Sequence, residues 1–503
     1  MSCTRLGDAP SQAPALHRLL CRECRHGNRA DRMIGLAMDC LNAEPVPPDG
    51  PARVMRALSL PCASLAMQQV LRRRSADRLW RRALAVVMTL IVVSYTWLWW
   101  IDRDPGVRVP EPPMPLTNAF DDFEAAGLAV TMDDRIGEAL SELPRDRKAS
   151  ATSLADLEKI IRQNDEALRL VRAGFQHEYR EPPIRSFSQT LPHYARDRGL
   201  ARLLALEALV HERRGRMARA NACDLDAIEL GMRIRNGGTV IGALVGYACA
   251  AIGRAGLWDR LDRMSAQDAR AALERLDRLE RLRVPVADNL IEEKWCGVAS
   301  LLEIMSDPRW RWHLGDLGST GVDGGATKLQ NLAAYLAMLP FSKRAILDRY
   351  MYWLDRQVAY ARAYPLMPEP KPEGSLDRIN EVLLPVFSSL VHKDASERSM
   401  HSLLRASLAL RAYRLERGGL PRSLDDLVRT GYIDAVPEDP FVADGSTLRY
   451  RLSPGGPVVY SVGPDHVDNG GAPIGQETTF RRELSRTVQA DSIGDVVAGI
   501  NKP

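Results

Sequence analysis

The chain has 503 residues, 45% hydrophobic and 26% charged, a balance that excludes a disordered or low-complexity protein and leaves room for several domains. Aromatics are sparse at 6%, and the abundance of Ala, Leu and Arg favours helix over sheet. The net charge of +4 is too small to decide a partner class, but its distribution is uneven: residues 1–82 carry 14 Arg and 7 Asp or Glu (+7), residues 83–101 carry none, and 102–503 therefore sum to −3 (+4 less +7).

The first segment, 1–44, contains ALHRLLCRECRHGNRA at 15–30. His17, Cys21 and Cys24 follow the spacing His-x3-Cys-x2-Cys, which puts an imidazole and two thiols on one face of a helix. Zinc takes four such ligands in a closed tetrahedron. Cys3 is the first candidate for the fourth, with His26 and Cys40 behind it; the bland alternative is unligated thiols on a basic helix. The stretch resembles the zinc-binding anti-sigma family, on His17, Cys21, Cys24 and the following RADRMIGLAMDCL. The resemblance implies a small helical zinc domain that grips a sigma factor and is linked by one membrane span to an outer sensor. Two departures stand against it: a short Pro- and Ala-rich lead-in, and PVPPDGP at 45–51, which interrupts the helices that follow.

Residues 45–82 read as a basic linker and helix, and no aromatic interleaving or nucleic-acid motif turns this basic stretch into a nucleic-acid site. ALAVVMTLIVVSYTWLWWI at 83–101 is an uncharged run close to the ~20 residues a helix needs to cross a bilayer. Trp97, Trp99 and Trp100 at its far end suit the membrane interface, and Arg81 and Arg82 at its near end set the amino terminus on the cytoplasmic side. The expectation is a single-pass inner-membrane protein whose carboxyl-terminal part lies outside. A second apolar run, TVIGALVGYACAAIG at 239–253, is shorter and reads as a buried helix of the outer domain.

Residues 102–115, rich in Pro, read as a stiff stalk. A helical outer domain is expected over 116–394. Asn118, or Thr117, caps its first helix, and Ser153 with Asp156 forms a capping-box variant ahead of one helix running to Gly174. Residues 200–231 read as a helix pair turning at Gly215; Ala208, Ala220 and Ala227 there resemble one tetratricopeptide-like hairpin. Gly242 and Gly246 suggest close helix packing. Glu292 and Glu293 read as solvated charge, Cys223, Cys249 and Cys296 as buried thiols or at most one bridge, and the outer histidines show no metal-ligand spacing. The Gly-rich 315–328 lacks the ending of a phosphate-binding loop and reads as a linker.

The last module, 395–475, carries a helix ending at Gly418-Gly419, a short second helix capped by Ser423, and the strands TLRYRL and PVVYSVG. A tail, 476–503, follows. The module resembles the carboxyl-terminal domain of the type II secretion major pseudopilin, on Gly419-Leu420-Pro421, Asp439-Pro440, Tyr450, Ser461-Val462-Gly463, Asp465 and Gly470-Gly471. That resemblance implies a calcium loop formed here by Ser461, Asp465, Asp468 and Asn469, clustered oxygens of the kind calcium prefers. The alternative is an Asp/Asn/Gly turn.

The expected fold is mainly α: one transmembrane helix, a large helical outer domain and a small α+β module. With no catalytic motif visible, the expected function is non-enzymatic, an envelope interaction or signalling protein whose partners are the lipid bilayer and a sigma factor or other cytoplasmic regulator. The alternatives are a secretion-associated envelope component, and a membrane-bound hydrolase without a recognisable motif.

Overall fold

The computed structural model describes residues 61–131, 153–311, 341–370, 378–475 and 488–501, with side chains from Trp80 onward in the first helix and from Phe387 in the long helix that begins at Arg378. The amino-terminal segment, with Cys3, His17, Cys21 and Cys24, and the Gly-rich 315–328 lie outside the described residues. The chain forms two compact units, Met1–Asp102 and Arg103–Pro503.

In the first unit, α1 (Pro61–Ile101) is one unbroken helix. Its Trp80–Ile101 part has a mean hydropathy of 1.9 and is only 6% buried. Trp97, Trp99 and Trp100 at one end, and Arg81 and Arg82 at the other, are all exposed. Its two threonine hydroxyls are satisfied inside the helix: Thr89 donates to Ala85 O at 2.8 Å and Thr96 to Val92 O at 2.9 Å. A helix in hydrocarbon has the same requirement, since lipid offers no partner.

The second unit is mainly helical. Residues 103–115 are extended but do not stand free as a stalk. Pro105 O accepts from Arg344, Pro110 O accepts from Arg185, and Val107 and Val109 pack on a buried cluster of the domain. A Pro-rich strand without ladder partners can be stiff and still be held by donors from neighbouring helices.

Next come α2 (Ala119–Ala129), α3 (Leu154–Gln163) and α4 (Asp165–Gly174). The Asn118 side chain caps α2, accepting from Phe120 N, and Ser153 caps α3, accepting from Asp156 N while donating to the Asp156 carboxylate at 2.6 Å. The single helix expected over 154–174 is broken at Asn164. This residue is buried and its amide donates to Ile160 O and accepts from Thr131 N, so the side chain draws the backbone out of the helical ladder.

The hairpin α5 (His193–Arg213) and α6 (Met217–Arg233) turns at Gly215, φ +70°, the left-handed region where glycine is unstrained. Ala208, Ala220 and Ala227 are fully buried between the two helices.

α7 (Val240–Arg260) packs along α6 through glycines. A Cβ on Gly246 would lie 2.5 Å from Gly231 O, and one on Gly253 2.2 Å from Asp224 O, so the two backbones touch. Its apolar window is 67% buried, although by length and composition it too could cross a membrane. It also carries Arg254 and Arg260 into the interior, paired with Glu397 and with Asp224 and Glu212.

α8 (Ala266–Glu280), α9 (Val286–Ser306) and α10 (Lys343–Ala363) complete the helical layers; α9 and α10 pack on one another. α11 (Arg378–Arg417) is 40 residues long and runs through the boundary expected at 394/395. It ends at Gly418, φ +74°.

α12 (Asp425–Arg429) is not capped by the Ser423 hydroxyl. The Asp426 carboxylate reaches back to accept from Arg422 N and Ser423 N. β1 (Arg449–Ser453) and β2 (Gly456–Ser461) form the expected hairpin, in register Tyr450↔Val459 and Leu452↔Pro457. A third strand, β3 (Val496–Val497), comes from the tail and pairs antiparallel with β2. The sheet therefore needs residues placed beyond the expected module. One buried cluster joins Ile228, Leu257 and Leu276 to Leu404, Leu408, Leu427, Val459 and Val496, so helices and sheet share a core.

Candidate functional site

Among the described residues, the one group of three His, Cys, Asp or Glu side chains whose ligand atoms lie within 4.8 Å of one another is Glu207, His211 and Cys223. Glu207 and His211 are one turn apart on α5, and Cys223 faces them from α6 across the Gly215 turn. Asp226, one turn beyond Cys223, adjoins the group. Arg172 of α4 lies against it: Nη2 donates to Glu207 Oε2 at 2.5 Å, Nε to Asp226 Oδ2 at 3.0 Å, and Nη2 lies 3.6 Å from Cys223 Sγ. Arg275 of α8 holds the other oxygen of Asp226. His211 Nε2 is 3.9 Å from Glu207 Oε1, and His211 Nδ1 is buried without a hydrogen-bond partner.

The charges respond accordingly. Burial lowers the His211 pKa, and the cations Arg216, Arg219 and Arg172 add to that against the pull of Glu207, which favours the neutral imidazole that metals bind. Burial and the neighbouring Glu207 hold the Cys223 thiol well above its ordinary value, against Arg172. Cys223, Cys249 and Cys296 are all free and buried, which settles the alternative of one bridge.

A second polar cluster is more enclosed. Glu181 accepts from His193 Nε2 at 2.9 Å and from the Tyr194 hydroxyl at 2.9 Å. It fits because Gly238 and Gly242 have no side chains: a Cβ on either would lie within 2.9 or 3.1 Å of its carboxylate. Asp197 nearby is pushed up to about 7 by burial, with His193 opposing. Glu181 is 1% and Asp197 3% exposed, so a substrate would not reach them. Glu292 and Glu293 are not solvated as expected. Glu292 pairs with Arg180 at 2.9 Å, and Glu293 accepts from Val240 N at the start of α7, where burial raises its pKa.

The expected calcium residues part company. Ser461 is fully buried and its hydroxyl donates to Asp439 Oδ1 at 2.6 Å, away from the loop. Asp465, Asp468 and Asn469 share one loop: Asp465 accepts from Gly494 N and from the Asn469 amide, and Asp468 accepts from Gly470 N and the Tyr460 hydroxyl. Sequence reasoning missed Asp495, whose oxygens accept from Asn469 N and Gly471 N and tie the tail to this loop.

A cleft of about 510 Å³ opens beside the hairpin, lined by Trp258, Leu261, Arg411, Arg414, Pro457 and Val459 among others. The ionisable groups of its wall are Asp262, Arg411 and Arg414.

Together these features define a mainly helical protein with an exposed apolar helix and polar groups assembled between helices. No protein-family model matches the chain, and no curated protein or solved structure matches it at a significant level.

Proposed function

We propose that the chain is a single-pass membrane protein of interaction or signalling type, not an enzyme, with its amino-terminal segment in the cytoplasm and its helical unit outside. The observation that carries the reading is the exposure of Trp80–Ile101: a 22-residue apolar helix whose most apolar stretch is only 6% buried calls for a low-dielectric environment that the protein itself does not supply. The burial of α7 supports one span rather than two, and the basic flank with Arg81 and Arg82 supports the orientation. On this reading Cys3, His17, Cys21 and Cys24 build a zinc-stabilised cytoplasmic domain that engages a sigma factor or similar regulator. Calcium at the Asp465–Asn469 loop belongs to the same reading; it would displace the N–H donors that now hold those oxygens.

Reporter fusions after residue 60 and after residue 503 test the topology. An alkaline phosphatase active only on the carboxyl-terminal fusion and a fluorescent protein active only on the amino-terminal one support it. Equal behaviour of the two fusions, or release of the chain by alkaline carbonate, sinks it. A secretion-associated role would show as co-purification with secretion components that survives Cys21→Ser and Cys24→Ser.

A further inference from the structure

We propose that Glu207, His211 and Cys223 form a zinc site between α5 and α6, with Asp226 as the adjoining carboxylate and Arg172 as the competing cation. The site lies in the outer unit and is independent of the cysteines near the amino terminus.

The donor set selects the metal. A thiolate, an imidazole and a carboxylate within 4.8 Å of one another suit a borderline ion such as zinc, whereas calcium and magnesium take oxygens alone. The ligands stand on two rigid helices joined by a tight turn, which fixes their separation without help from a loop. His211 Nδ1 is also buried with no hydrogen-bond partner, a state that costs stability. Cys223 is 3% exposed, and its sulfur takes a long contact of 3.6 Å from Arg172.

Arg172 neutralises Glu207 and Asp226 from the position a divalent cation would take up. Its side chain is 39% exposed, so its head can turn to solvent. Metal binding then proceeds as an exchange. The Cys223 S–H bond breaks, its electron pair goes to the metal, and the proton leaves to solvent as the guanidinium withdraws. Three protein ligands leave a fourth position, for Asp226 or for water.

The test uses the full chain in detergent with Cys3, Cys21, Cys24, Cys40 and Cys62 replaced by Ser, titrated with cobalt(II) and then with zinc. The expected result is one cobalt per chain with thiolate-to-metal absorption that zinc abolishes. The band disappears in Cys223→Ser, persists in Cys249→Ser, and forms about tenfold more weakly in His211→Gln. Arg172→Gln keeps every ligand and removes the competitor, so it tightens cobalt binding about tenfold or more. Absence of the band, or its survival in Cys223→Ser, overturns the proposal. Should Cys223→Ser fail to fold by circular dichroism, Arg172→Gln decides: tighter binding supports the site, and unchanged affinity overturns it. Neither result depends on membrane topology.

Discussion

Among the described residues, α1 and α7 are the two helices long and apolar enough to cross a bilayer, yet the first is 6% buried over that stretch and the second 67%. The difference lies in what each apolar face meets. α7 presents glycines to a partner backbone and brings two arginines inward to waiting carboxylates. α1 presents Leu, Val, Ile and Trp all round, with its arginines gathered at one end. Hydropathy is blind to this distinction. Small residues at helical spacing and buried, paired charges mark a helix made for protein neighbours, while uniform bulk marks one made for lipid.

The largest expected effect separates the two directly. Gly253→Leu drives a side chain into Asp224 O and Ile228, and overpacking of this kind costs about 1–3 kcal/mol or more. The melting temperature of the helical unit should fall sharply or its unfolding become non-cooperative; an unchanged melting temperature would show that α7 is not packed as described. The mirror experiment is Val92→Arg in α1. On the proposed reading of α1 as a span, a charge at its middle costs about 2.5–3.5 kcal/mol of insertion, so membrane retention should fall while the helical unit keeps its melting temperature.

A smaller effect reads the dryness around α7. Asp197 of α5, close to Cys249 of α7, keeps its proton up to about 7, whereas the unfolded chain loses it near its ordinary value. Folding therefore takes up a proton in between, and the stability this group contributes is present below about pH 4 and lost as pH rises to about 7. Asp197→Asn should stabilise the unit at pH 8 by about 2 kcal/mol, with the gain vanishing near pH 4. Equal gains at both pH values would place Asp197 in a wet site.

The smallest effect has the opposite sign. Burial lowers His401 to about 3, with Arg283, Arg254 and Arg405 acting against Glu280. The unfolded chain binds that proton below about 6.5, so stability falls as pH drops from there toward 3. Glu280, held at about 2 by Arg283 against the cost of burial, adds a loss below its ordinary range. Urea titrations of His401→Gln should be flatter than wild type between pH 6.5 and 4, by about 1 kcal/mol.

Much of the fold was legible where the cause is local. Asn118, Ser153 with Asp156, Gly215 and Gly418 act on their own turn of chain, and each sits where its chemistry predicts. The break at Asn164 was not legible, because it depends on Thr131, far away in sequence. β3 was hidden in a tail that shows no strand-like alternation; two residues pair because β2 already stands there. The Glu207–His211–Cys223 group escaped a search for contiguous ligand spacing. Projecting the Glu-x3-His of α5 and the Cys-x2-Asp of α6 across the Gly215 turn would have found it.

The placement of β3 also bears on time. Val496 is fully buried in the core that holds Ile228 and Leu408, and Asp495 ties down the 465–471 loop, yet both lie within the last nine positions of the sequence. The helical unit therefore cannot close its core before Val496 has been synthesised, and contacts spanning more than 250 residues are slow to form. During that interval the apolar faces of α6 and α7 are uncovered, which makes the nascent helical unit a client for chaperones.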